Sequence, residues 1–396
     1  MSVQSIQNSV TDVLEEVISW RRHLHQNPEL SFQEEQTAQF VYEKLHSFKG
    51  LIISRPTKTS VMARLIGKQP GKVLAIRADM DALPIQEENL LDFTSTNPGV
   101  MHACGHDGHT AMLLGSAKIL TGMQEQIKGE VRFLFQHGEE LFPGGAQEMV
   151  DVGVMDGVDL VMGCHLWANL EVGKIGIVYG PMMASPDTFD ITIEGKGGHG
   201  AMPHQTIDSI AIGAQVVTNL QHIVSRKINP LDSVVVSVTQ FSAGTTHNVI
   251  PGSAKIVGTV RNLNPELRSI VPKIMEQIVK GITDAHGANY NFAYDYGYRP
   301  VINDSQITKT IEETVKDVLG QEAISMEPPT MGGEDFSAFQ TKAPGAFFYV
   351  GARNEEKGII YPHHHPRFSI DEDSLKNGVN IFVNATFNLL NKNLIK

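Results

Sequence analysis

Four short stretches of this chain concentrate the side chains that hold divalent metals. They are Met101-His102-Ala103-Cys104-Gly105-His106-Asp107, Gln136-His137-Gly138-Glu139-Glu140, Gly163-Cys164-His165 and His363-His364-His365-Pro366. Imidazole, thiolate and carboxylate are the protein ligands of borderline divalent ions. Cys104 and His106 flank Gly105, and glycine permits the tight turn that lets both face one ion. The plain alternative is a buried cysteine beside a helix-capping histidine. Glu139 and Glu140 are adjacent, so on extended backbone they point opposite ways. One can bind metal while the other meets the attacking water as general base. The alternative there is two solvated loop acids. His165 closes an apolar run, either as a ligand or as a satisfied core histidine. Spacing does not choose among His363, His364 and His365.

These groups need a scaffold that brings them together. Val10 to Leu24 has the apolar stripe of an amphipathic helix, and Thr110 to Leu120 is helical in pattern. Val73–Ile76 runs into Arg77-Ala78-Asp79-Met80-Asp81, Val131–Phe135 into the glutamate pair, and Val158–Cys164 into His165. Such runs, alternating with helices, predict an α/β fold with a parallel or mixed sheet covered on both faces. In open sheets of this kind ligands bind beyond the carboxyl ends of the strands. If the three strands are parallel neighbours, Asp79 and Asp81, Glu139 and Glu140, and His165 converge on one rim.

The pattern changes near Ser185. Asp187–Glu194 alternates like a half-exposed strand, followed by a helix from about Asp208 to Ser225 and strands Val234–Phe241 and Ala254–Val260. A helix at about Pro265–His286 and a strand near Tyr290–Tyr294 complete the order strand–helix–strand–strand–helix–strand, which predicts a ferredoxin-like α+β domain. The expected organisation is a discontinuous catalytic domain over residues 1–184 and 299–396, with an inserted domain over 185–298. The insert carries His199 in a glycine-rich turn, Asn248 and Arg261. Arginine is the natural clamp for a substrate carboxylate, with a surface salt bridge as the alternative for Arg261.

Composition narrows the function classes. The 396 residues are 41% hydrophobic and carry a net charge of -12, which argues against a nucleic-acid surface or an anionic membrane. No apolar run approaches the length of a spanning helix. The amino terminus lacks a basic region followed by an apolar stretch, and two cysteines cannot build a disulfide scaffold, so a reduced cytoplasmic setting is expected. Gly195-Lys196-Gly197-Gly198 lacks the spacing of a nucleotide loop. Neither a Gly-x-Ser-x-Gly elbow nor a His-Glu-x-x-His helix occurs.

Five segments, spread in one order over nearly the whole chain, carry a resemblance. They are Arg21–Glu29, Arg77–Pro84, Met101–Gly115, Gly197–His204 and Met331–Phe336. Through them the chain resembles the metal-dependent amidohydrolases of the aminoacylase and carboxypeptidase G superfamily, in the branch of hippurate hydrolase, indoleacetyl-amino-acid hydrolase and N-acetyldiaminopimelate deacetylase. The resemblance implies two divalent ions, manganese or zinc, held by Cys104, His106, Glu140, His165 and His364, with the Cys104 thiolate between them. His364 is selected because His364-His365-Pro366-Arg367-Phe368 matches the family's His-x-Pro-x-Phe pattern. Glu139 is then the general base, and Asp79 and Asp81 stand behind the ligands. The wider superfamily has a histidine ligand where this chain has Asp79. His137-Gly138 replaces the Pro-Ala of many relatives and leaves both acids in place. A homodimer formed through the insert, acting as lid, is implied, with His199 reaching the partner's site. Asn248 and Arg261 would bind the acyl oxygen and the carboxylate. The expected reaction is hydrolysis of an N-acyl amino acid. Its rivals are a dipeptidase or carboxypeptidase on the same scaffold, and a metal-dependent binding protein without catalysis.

Overall fold

A computed structural model describes residues 2–391. They divide into two compact units. One contains the chain up to Gly180, Ile302–Pro328 and the chain from Asp335 onward; the other contains Pro181–Val301 and Pro329–Glu334. The smaller unit therefore exceeds the expected 185–298. Backbone bonds from Thr330 N–H to the Met182 carbonyl and from Ala184 N–H to the Gly332 carbonyl hold Pro329–Glu334 to it. Pairing between segments so distant in sequence leaves no local pattern. Met1 and residues 392–396, the outer ends of the expected catalytic domain, lie outside the described residues.

The larger unit is built on an eight-stranded mixed sheet. Its strands are β1 (Leu51–Ser54), β2 (Val61–Ile66), β3 (Gln69–Asp79), β4 (Lys128–Gln136), β5 (Leu160–Glu171), β6 (Ile175–Ile177), β7 (Ile324–Met326) and β8 (Gly345–Arg353). Their spatial order is β1-β2-β4-β3-β5-β8-β6-β7. β4, β3, β5 and β8 are parallel neighbours. Val131, Phe133, Leu74, Ile76, Met162 and Phe348 are fully or almost fully buried, as expected for strands covered on both sides. On one face the helices Val3–Gln26, His106–Gly122 and Asp373–Asn391 pack together. The first buries Ile6, Val10, Val13, Val17, Trp20 and Leu24 at helical spacing, and the Ser2 side chain caps it by accepting from Ser5 N–H. On the other face Phe347 meets Phe336 at 4.8 Å between ring centroids.

Two local expectations change. β5 does not stop at Cys164 but runs to Glu171. Leu160 to Leu166 are buried throughout, and beyond them Ala168 and Leu170 stay buried while Asn169 and Glu171 are exposed, so period-2 alternation sets in only past His165. The helix expected from Thr110 begins at His106. Its first turn is polar, so apolar periodicity could not find it, yet those residues are buried and bonded.

The smaller unit has a four-stranded antiparallel sheet in the order Val234–Ala243, Ser253–Asn262, Ser185–Glu194, Asn289–Asp295. Helices Ser209–His222 and Pro265–His286 pack on it. Phe189, Ile191, Ile193, Val216, Leu220 and Met275 share its core. Asp208 and Asn264 cap the two helices with their side chains. This is the ferredoxin-like topology. Among the described residues no helix is long and apolar enough to cross a membrane.

Candidate active site

Parallel register sets the site. Asp79, the last residue of β3, is level with Gln136, the last of β4. Arg77 is level with Gly163, so continuing that register two residues puts His165 beside Asp79. β3 and β4 end there, and their loops carry Asp81 and Glu139-Glu140 onto the rim while β5 continues beneath His165.

Gly105, at φ 96°, makes the turn into the helix at His106, a conformation that suits glycine. It presents Cys104 and His106 from one bend. Among the described residues five sets of ligand-type atoms lie within 4.8 Å of one another, and three of them gather the expected metal ligands and Glu139: Cys104, His106 and His165; Cys104, Glu140 and His364; and His106, Glu139 and Glu140. These three share members and form one cluster within the larger unit.

Hydrogen bonds assign the imidazole tautomers. His106 Nδ1 lies 2.9 Å from the Asp81 carbonyl oxygen, which can only accept, so that nitrogen carries a proton. Its Nε2 is buried without a hydrogen-bond partner, 3.9 Å from Glu140 Oε1, itself buried and not hydrogen-bonded. His165 Nδ1 donates to the Leu166 carbonyl at 2.7 Å, leaving Nε2 directed at Cys104 Sγ, 3.5 Å away. Burial, reinforced by His109, keeps His165 well below its ordinary pKa and so neutral. Both rings thus hold Nδ1 on a backbone carbonyl and turn Nε2 inward, as ligating histidines do.

His109 is excluded as a ligand. Its Nε2 accepts the Leu166 N–H at 2.8 Å, so Nδ1 must donate to Asp79 Oδ1, at 2.6 Å. The other Asp79 oxygen takes Arg77 Nη1 at 2.7 Å. Asp79 is therefore committed to its neighbours. Asp81 braces three elements: Oδ1 lies 3.2 Å from His106 Nδ1, while Oδ2 accepts from Ser31 Oγ at 2.6 Å and from the Glu140 backbone N–H at 2.9 Å.

The histidine triplet is resolved by contact. His363 Nε2 accepts from Ala168 N–H, and His365 Nδ1 accepts from Arg367 N–H. His364 alone of the three brings a ring nitrogen to a cluster carboxylate, with Nε2 3.2 Å from Glu140 Oε1, while His363 meets the His165 ring edge-on at 5.1 Å between centroids. His364 does so at φ 63°, a left-handed conformation that histidine adopts more readily than most residues, and its N–H is tied to the Ala103 carbonyl at 2.8 Å.

Charge makes the same point as geometry. Burial alone would lower His106, but Asp79, Asp81 and Glu140 outweigh it and hold the ring up at about 10. Burial together with Glu140 and Glu139 pushes the Cys104 thiol up. A buried cluster with this excess of acids, a thiol and unsatisfied inward nitrogen and oxygen atoms fits divalent cations and is poorly satisfied by protein alone.

A buried network, to which sequence reasoning assigns no role, lies behind the helix start. Asp107 takes Arg21 Nε and His25 Nδ1, both at 2.8 Å, and His25 Nε2 reaches Glu87 at 3.1 Å. Burial opposes ionisation of Asp107, but Arg21 and His25 overcome it and hold the carboxyl below the ordinary range. Asp107→Asn should therefore cost about 3–5 kcal/mol in denaturant unfolding, because the buried Arg21 loses its nearer counter-charge and keeps only Glu372, at 3.4 Å. A depressed carboxylate stabilises above its unfolded pKa of about 3.9 and loses that contribution as pH falls toward its folded value. The gap between variant and parent should accordingly shrink in acid.

In the smaller unit, His199 and Asn248 are brought together. Gly198–His199 pairs with Val249–Ile250, and the Gly200 N–H bonds to the Asn248 carbonyl at 2.8 Å. His199 Nδ1 accepts from Ala201 N–H at 3.0 Å, so its Nε2 carries a proton outward. Arg261 is not near them. It pairs with Pro186 at one end of a ladder whose other end pairs Ser253 with Glu194, next to the His199 turn. Eight residues of strand separate those ends, about 26 Å at 3.3 Å per residue.

Comparison with known proteins agrees with this architecture. Residues 75–388 match the model of peptidase family M20/M25/M40. The chain is 72% identical over 303 residues to an N-acyl-L-amino acid amidohydrolase of Geobacillus stearothermophilus, covering 76% of this chain and 82% of the relative. It is 41% identical to thermostable carboxypeptidase 2 of Saccharolobus solfataricus, over 95% of this chain and 96% of that one. A crystal structure from Bacillus subtilis, described as a dinuclear metal binding peptidase from the M20 family, superposes with a TM-score of 0.85 at 37% identity, covering 96% of this chain and 99% of that one. With a match over most of its length, reaching from β3 to the terminal helix, this chain belongs to peptidase family M20/M25/M40.

Proposed function

We propose that the protein hydrolyses the amide bond of N-acyl amino acids, releasing a carboxylic acid and a free amino acid. The observation that carries this reading is the single buried cluster in which His106 and His165 both turn Nε2 inward beside Cys104, Glu139 and Glu140. Cys104, His106, Glu140, His165 and His364 would hold two divalent ions. Cys104 belongs to two of the five ligand sets, so its sulfur could serve as a ligand to both ions. Thiolate favours zinc and the carboxylate suits manganese. When bound, such ions acidify a water molecule and polarise the amide carbonyl.

The protein's own groups do the rest. Glu139 takes the proton from the attacking water and delivers it to the departing amine. His199, with a proton on Nε2, donates to the oxygen that becomes negative. Asn248, beside it, helps bind the acyl oxygen, and Arg261 clamps the free carboxylate. Because His199 and Arg261 stand at opposite ends of one sheet, no small substrate touches both within one copy. This supports a homodimer through the smaller unit, acting as a lid, in which the two residues at one site come from different subunits. Both cysteines are buried and free, in keeping with a reduced, cytoplasmic setting.

The test pairs elemental analysis with a substrate panel. Purified protein should carry two zinc or manganese ions per chain. Chelation should lower Tm, and restored metal should recover it, because ligands bind only the folded state. Metal-restored protein should cleave N-acetyl and N-benzoyl amino acids. The resemblance to a carboxypeptidase favours a second reading, and faster cleavage of dipeptides than of N-acyl substrates would select it.

A further inference from the structure

We infer that Glu34 is a positioning residue for Glu139: its buried carboxylate fixes the backbone on one side of the proposed base. The inference rests on the reading of Glu139 given above. Glu34 is the residue just before the helix Glu35–Ser47, where a short polar side chain such as Asp or Ser ordinarily caps the helix amides. It does not do so. Gln36 and Thr37 N–H are accepted by Glu29, at 3.1 and 2.8 Å. Glu34 instead sends Oε1 across to Gly138 N–H at 2.7 Å and accepts Phe32 N–H at 2.9 Å on the same oxygen, while Oε2 accepts from Thr59 Oγ1 at 2.9 Å.

The partners are held in unusual conformations. Gly138 has φ 58°, and Phe32, a bulky residue, has φ 65°. A Cβ at 138 would stand 2.8 Å from Phe32 Cζ, so the ring lies directly on the glycine. A non-glycine residue with positive φ costs on the order of 1–3 kcal/mol and marks a surrounding structure that over-determines it. Phe32 accepts that conformation where its N–H and ring both meet the Gly138 clamp.

The result is a short segment fixed on both sides of one residue. Glu34 holds the Gly138 N–H, Gly145 N–H holds the Gly138 carbonyl at 3.0 Å, and Asp81 holds the Glu140 N–H at 2.9 Å. Glu139 is the residue between these anchors. Glu34 is also an awkward choice for stability alone. It is 0% exposed, and burial together with the Asp81 carboxylate raises it to about 7. A neutral side chain would fill the space without that opposition.

The test uses the metal-loaded full-length protein and the N-acyl substrate it cleaves best. Glu34→Ala should lower kcat about 10- to 100-fold, the scale of a displaced catalytic group, with KM within about threefold and two ions per chain retained. Glu34→Gln should restore most of kcat, since its carbonyl oxygen can accept both N–H groups. Glu34→Asp, shorter but still charged, should lose kcat like the alanine variant and covers the case in which Glu34→Ala does not fold. A kcat within threefold of the parent in Glu34→Asp would overturn the inference. So would loss of metal in parallel with turnover, or failure of Glu34→Gln to recover. Glu139→Gln run alongside separates the two readings: if it stays active, the base assignment has failed. If it is inactive while the Glu34 variants turn over normally, only the present inference has.

Discussion

Glu139→Gln should lower kcat by about 10²–10⁴-fold, the usual contribution of a general acid–base group, while the protein keeps its fold and its metal. Glutamine has the shape of glutamate but cannot accept the proton from water at neutral pH. The backbone around it should not move, because Gly138 and Glu140 are each hydrogen-bonded to a separate carboxylate. The metal should remain, because Cys104, His106, Glu140, His165 and His364 are untouched. Glu140→Gln is the informative contrast. It alters a cluster oxygen that is buried and not hydrogen-bonded, so metal content and turnover should fall together. Initial rates and elemental analysis on the same preparations distinguish the two. A Glu139→Gln enzyme within tenfold of the parent would remove Glu139 from the reaction.

The two glutamates were easy to single out in the sequence because everything that marks them is local: an apolar run, then a pair of acids. Cys104 and His106 were visible for the same reason. His109 was not. It follows His106 closely, inside a segment that the sequence already marks, but its role depends on Asp79 and on the Leu166 amide, 30 and 57 residues distant. Arg21, His25, Asp107 and Glu34 were hidden likewise, since a buried polar residue is recognised by its partners, and partners are made by the fold. The histidine triplet shows the limit in another form. Three identical side chains in a row have no distinguishing spacing of their own; in the sequence only the resemblance picks out His364, and in the fold its backbone conformation separates it. The ferredoxin-like order of the smaller unit was legible because alternation and helical periodicity are repeated there without interruption. The true length of β5 was not, because a histidine in the middle of a strand reads as its end.

The arrangement of the smaller unit leads to the second large effect. His199→Ala should reduce turnover about 10²–10³-fold, as loss of an oxyanion donor does, and Glu139→Gln should be nearly inactive as above. A heterodimer of the two, purified through a different tag on each subunit, should nevertheless be active. In that dimer one site combines an intact Glu139 with His199 of the partner subunit, and the other site combines both lesions. In a two-fold dimer one good site in two gives about half the parental rate. If His199 served its own chain, every site in the heterodimer would carry one lesion and no activity would return. The geometry favours the first outcome. His199 and Arg261 lie near the two ends of the Ser185–Glu194 and Ser253–Asn262 ladder, so in the roles proposed for them two copies, each giving a different end, would be needed to hold one amide at its oxygen and its carboxylate together. A chain that sediments as a monomer while fully active would sink this assignment, as would a heterodimer no faster than its parents.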